Sequence, residues 1–120
     1  MKREEELRPA QAIKLLRTWQ KRLRLQDWEI ALSFVKSLDM SGPNLGEIKI
    51  YPDHRAADIC LLREEDYPQN LPWYVDMESV LVHELLHIHF NPLSSPEKNV
   101  QEDAAIESIV PALINGWRRK

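Results

Sequence analysis

The stretch "SVLVHELLHIHF" (79–90) governs how the rest of the chain is read, because an apolar run there carries two histidines and a glutamate at fixed spacing. His83 and His87 are four positions apart. At about 3.6 residues per turn both rings project from one side of a helix, near enough for two ring nitrogens to reach one Zn²⁺ at about 2.0–2.1 Å. Glu84, roughly 100° around from His83, is poorly placed as a third ligand and well placed to act on a water at that ion as general base. Leu81, Val82, Leu85, Leu86 and Ile88 make the remaining surface apolar, so the helix is expected to lie in the core, with a dry wall behind the histidines. Three fixed residues recur by composition in roughly one chain in a few hundred of this size, so the setting gives the motif its weight. Two imidazoles and a carboxylate buried without partners are costly, which favours a metal over a helix with incidental histidines.

Zinc needs a third protein ligand. His89 lies roughly 200° from His87 and is expected to pack by its ring at the helix end, and His54 reads as a loop histidine at the surface. No histidine follows His89, which leaves a carboxylate on the next helix, where "VQEDAAIESIV" (100–110) offers Glu102, Asp103 and Glu107. Glu102 shares a helical face with Ile106, Ile109 and Leu113 and is the expected ligand. A change of phase by one position exchanges it for Asp103, and Glu107 is expected to be solvated.

Around these helices the pattern is that of one α+β domain over residues 1–120, with 1–8 as a flexible, charged N-terminus. After Pro9, "AQAIKLLRTWQKRLRLQ" places Ile13, Leu16, Trp19 (or Gln20) and Leu23 at helical spacing. "DWEIALSFV" (27–35), "LGEIKIYP" (45–52) and "ADICLL" (57–62) predict three strands of a small, mostly antiparallel sheet, broken by the turn "DMSGPN" and ended by "REEDYPQNLP". Helices follow over roughly 73–90 and 97–116, the second opening near Ser95 and Pro96.

Composition narrows the function. Hydrophobic residues make up 43% and charged residues 29%, as in ordinary globular proteins. A net charge of −3 supplies no general cationic field, so a nucleic-acid partner is not expected; "KRLR" (21–24) and "WRRK" (117–120) read as solvated helix ends. The single cysteine, Cys60, forms no internal disulfide and fits the reducing cytoplasm. No secretory leader or membrane-spanning run is visible, and a monomer is the simplest expectation.

With "SVLVHELLHIHF" preceded by a small sheet and followed by "QEDAAIESIV", the chain resembles the zincin-like metallopeptidases, in particular the minimal gluzincins found among bacterial and phage-related proteins. The resemblance spans roughly residues 10–116, and its specific part is HExxH. It implies His83, His87 and Glu102 as zinc ligands, Glu84 as base and then acid, a peptide or protein substrate, and "ADICLL" as a rim strand that pairs with an extended peptide. Larger members carry a downstream domain with an oxyanion-stabilising His or Tyr; here Tyr51, Tyr67, Tyr74 and His54 are the candidates for that task. The alternative from another class is a zinc-binding module without turnover that docks a protein partner through its sheet edge.

Overall fold

The computed structural model describes residues 9–40, 44–72, 75–93 and 99–118. The N-terminal residues 1–8, Tyr74 and the helix start near Ser95 and Pro96 lie outside the described residues.

The architecture is α+β: helix α1 (Pro9–Arg22), strands β1 (Glu29–Val35), β2 (Gly46–Tyr51) and β3 (Ala56–Leu62), then helices α2 (Met77–Phe90) and α3 (Asn99–Arg118). In α1 the buried face is Ala12, Leu16, Trp19 and Gln20, whereas Ile13 is 38% exposed and Leu23 only half-buried. The apolar stripe is thus rotated from the expected one at its first turn. The helix also stops earlier than its apolar spacing suggests, because Arg24 adopts a left-handed backbone (φ 62°). Buried Gln20 secures that turn, its Nε2 donating to the carbonyls of Leu25 (3.0 Å) and Trp28 (2.9 Å).

The sheet order is β1-β3-β2, with β3 antiparallel to β2 and parallel to β1. It is mixed rather than mostly antiparallel, for a topological reason. The tight connection through Pro52–His54 returns β3 against β2, while β1 ends and β2 begins at the same end of the sheet, where Val35 pairs with Leu62 and Gly46 with Leu61. β3, "ADICLL" with Ala56 before it, therefore occupies the centre, and the strand beside the later helices is β2. The expected rim strand has its backbone already paired on both sides.

Helix α2 lies on this sheet. Asp76 caps it, accepting from the Glu78 N–H (3.2 Å) and from Ser79 Oγ (3.2 Å), which is why it begins at Met77 and not near residue 73. Leu81, Val82 and Leu85 are fully buried with Ile59 and Leu61 of β3, and each such side chain stabilises by about 1.5–3 kcal/mol. Helix α3 packs on α2 through Ile106, Val110 and Ile114. The three helices are tied at one corner: Trp19 Nε1 donates to Glu78 Oε2 (2.6 Å), Arg118 Nη2 bonds Asp76 (2.7 Å) and Glu78 (2.6 Å), and the Arg22 guanidinium stacks over Trp19 and Trp117. Among the described residues no helix is long and apolar enough to cross a membrane.

One glycine sets how closely sheet and helix approach. A Cβ on Gly46 would stand 2.8 Å from Val80 Cγ1 and 3.2 Å from both Glu84 Oε2 and Leu61 Cδ2. Val80 is β-branched and stiff at χ1, so the strand would have to retreat from the helix. Gly46→Val is expected to cost about 1–3 kcal/mol by overpacking, while Lys49→Val on the exposed face of the same strand stays within about 0.5 kcal/mol. Urea denaturation of both variants checks this; equal midpoints would show that the close approach is not a constraint.

Candidate metal centre

Because α2 continues without interruption through residues 83–87, the two histidines emerge one turn apart, with ring centroids 5.1 Å apart and planes tilted by 60°. Each ring meets carboxylates of α3 through both of its nitrogens. His83 Nε2 lies 3.3 Å and His87 Nε2 3.1 Å from the same oxygen, Asp103 Oδ1. On the outer sides, His87 Nδ1 lies 2.5 Å from Glu102 Oε2 and His83 Nδ1 2.7 Å from Glu107 Oε2.

Asp103 is the carboxylate that meets both Nε2 atoms, and Glu102, the expected ligand, meets His87 at Nδ1. The buried stripe of α3 is Ile106, Val110 and Ile114, with Ile109 partly exposed, and Glu102, one turn before Ile106, is 11% exposed against 57% for Asp103. Glu107 is 70% exposed, as expected of a solvated residue, yet it reaches His83. The role of Glu107 had no sequence signal beyond its i+4 spacing from Asp103.

Four ring nitrogens thus face carboxylate oxygens, and of these contacts His83 Nε2–Asp103 and His87 Nδ1–Glu102 have hydrogen-bond geometry. Both Nε2 atoms and one Asp103 oxygen face one space, a donor set that could hold a cation. The donor atoms of His83, His87 and Asp103 lie within 4.8 Å of one another. Tetrahedral zinc with bonds of about 2.0–2.1 Å separates its ligands by about 3.3 Å, close to the two Nε2–Oδ1 distances. Two imidazole nitrogens and a carboxylate oxygen are donors that suit zinc, so the cluster could hold the ion.

Glu84 is 6% exposed and lines the same cleft. Burial pushes its carboxyl from 4.5 up to about 7; His83 and His87 pull it down, and Asp103 and Glu47 push it up. The cleft, about 900 Å³, runs between β2 and the two helices, past Gly46, Ile48, Ile50, Val80, Val110 and Pro111. Of the residues considered for oxyanion stabilisation, Tyr51, Tyr67 and His54 do not line it. His54 is exposed in the turn before β3. His89 leaves the cluster altogether, its Nε2 donating to the Leu23 carbonyl (2.6 Å) at the end of α1.

The raised carboxyl of Glu84 has a consequence with a definite sign. A folded value above the ordinary one means that the folded chain holds the proton more tightly, so this group favours folding below about pH 4.5 and the contribution is lost as pH rises to about 7. The interval corresponds to about 3 kcal/mol. In the presence of a chelator, Glu84→Gln is expected to be more stable than the parent at pH 8 by up to about 3 kcal/mol, an advantage that shrinks toward pH 5. Urea titrations at both pH values check this, and a difference independent of pH contradicts it. No protein-family model, no curated protein and no solved structure matches this chain, and the chemistry of the site rests on the side chains just described.

Proposed function

We propose that the chain is a zinc-dependent peptidase in which His83, His87 and Asp103 hold the metal and Glu84 is general base and then general acid. The observation that carries this reading is the convergence of two Nε2 atoms and Asp103 Oδ1 on one space, with the Nδ1 atoms already engaged by other carboxylates. Three protein donors among the described residues, where closed structural zinc sites use four, favour a catalytic centre over a binding module. The cleft favours a peptide as substrate: β2 forms the edge of the sheet beside α2, and its backbone offers an extended chain a strand to pair with. We place the protein in the cytoplasm, on the evidence of its single cysteine.

Zinc held there would supply an acidified water and a Lewis acid for the scissile carbonyl. Glu84 takes the proton of the attacking water and returns it to the departing amine, so one carboxyl serves both halves of the reaction. Buried Leu81, Val82 and Leu85 keep the helix under His83, Glu84 and His87 rigid, and Ile48, Ile50 and Val80 line the cleft with apolar surface for substrate side chains.

Zinc-loaded protein is expected to cleave members of a peptide library and to lose that activity to a chelator. Glu84→Gln retains one zinc per chain and loses at least about 100-fold in turnover, whereas Asp103→Ala loses the zinc itself. Elemental analysis and mass-spectrometric digests read both outcomes. Full turnover by Glu84→Gln would overturn the assignment, and a zinc-loaded parent that binds peptides without cleaving them would favour the binding module.

A further inference from the structure

We infer that Glu102 is a positioning residue of this centre, holding His87 in the tautomer that keeps its proton on Nδ1 and presents its Nε2 lone pair toward Asp103. The inference rests on the metal-centre reading above and adds to it how the ligands are oriented.

A neutral imidazole has one N–H, and which nitrogen bears it follows from what the other nitrogen meets. In water the choice is weakly biased. Here His87 Nδ1 hydrogen-bonds Glu102 Oε2 at 2.5 Å, whereas the hydrogen bond of His83 runs from Nε2 to Asp103 Oδ1 at 3.3 Å, and its Nδ1 meets Glu107 Oε2 at 2.7 Å outside hydrogen-bond alignment. A carboxylate accepts and does not donate when ionised, so the Glu102 contact places the His87 proton on Nδ1 and leaves its Nε2 as a lone pair. Glu102 also fixes the rotation of the ring, since a ring flipped by 180° loses the bond. Partners of this kind raise the basicity of a ligating imidazole and set its direction.

Glu102 and Asp103 are neighbours on one helix, so a single docking of α3 on α2 places both the carboxylate between the rings and the one that orients His87. The side chain of Glu102 is 11% exposed and that of Glu107 70%, so water can replace Glu107 far more easily than Glu102.

Long-range ¹H–¹⁵N spectra of the metal-free chain, at a pH where both rings are neutral, read the tautomers directly. The parent is expected to show the Nδ1–H form at His87. Glu102→Ala moves His87 toward the mixture seen in water, Glu107→Ala leaves it unmoved, and Glu102→Gln restores it because its amide oxygen still accepts. Competition with a chromophoric chelator should give zinc binding about 10–100-fold weaker in Glu102→Ala and partial rescue in Glu102→Gln. A His87 tautomer unmoved by Glu102→Ala would overturn the inference. So would a Glu102→Ala chain that loses zinc as completely as Asp103→Ala, with the same change in its cobalt spectrum, since Glu102 would then be a ligand. A parent chain that takes up no zinc would defeat the peptidase reading, and the spectra of the metal-free chain would still decide whether Glu102 orients His87.

Discussion

One contact between neighbouring helices organises this site: four imidazole nitrogens on α2 meet three carboxylates on α3. His87 hydrogen-bonds Glu102 through Nδ1 and His83 hydrogen-bonds Asp103 through Nε2, in a cleft whose back wall is apolar and where electrostatic terms are larger than in water. A divalent ion held as proposed above would relieve the conflict of three acids crowded on two rings. Nothing in the packing of α2 against α3 demands it, since Ile106, Val110 and Ile114 would bury equally well with neutral residues at 83, 87 and 103.

The scaffold keeps this conflict in place. Leu81, Val82 and Leu85 anchor one side of α2 in the core, so the helix has no freedom to roll its histidines away from α3. The sheet closes the other flank through Gly46, whose missing side chain lets β2 pass within contact of Val80 and Glu84. At the far end Trp19, Glu78, Asp76 and Arg118 join all three helices, with Asp76 and Glu78 at the positive N-terminal end of α2. The angle between α2 and α3 is thereby determined at two separated points, the corner and the histidine cluster. His89, bonded to Leu23, adds a third tie between α2 and α1.

What the sequence made legible follows from what local periodicity encodes. The spacing of His83, Glu84 and His87 is a property of any helix, and it survives because α2 is regular from Met77 to Phe90. The alternation in "EIALSF" and "EIKIY" likewise marks strands whatever their partners. The partner of Asp103 was harder to read. Helix α3 carries Ile106, Ile109, Val110, Leu113 and Ile114, which form two overlapping apolar stripes, and only the surface of α2 selects between them. The stripe through Val110 and Ile114 leaves Glu102 nearly buried at His87 and Asp103 half-exposed between the two rings. Strand order is equally silent in the sequence: alternation gives a face and leaves the neighbour open, so the central place of β3 and its parallel pairing with β1 emerge only in the folded sheet.

The same physics separates what this centre does for the fold from what it does for chemistry. A buried carboxylate at Glu84 beside Asp103 and Glu47 opposes folding at neutral pH, and Gln in its place would occupy almost the same volume without that cost. Asp103, 57% exposed, contributes little burial, and Glu107 less. A chain optimised for stability alone would carry none of these groups, whereas positions that break local rules in an otherwise consistent core are where function is expected. The cost is confined to one cleft, on one face of α2, beside the edge of the sheet. That confinement marks the cluster as a candidate site, and under the reading proposed above the crowding of its acids would favour uptake of a cation.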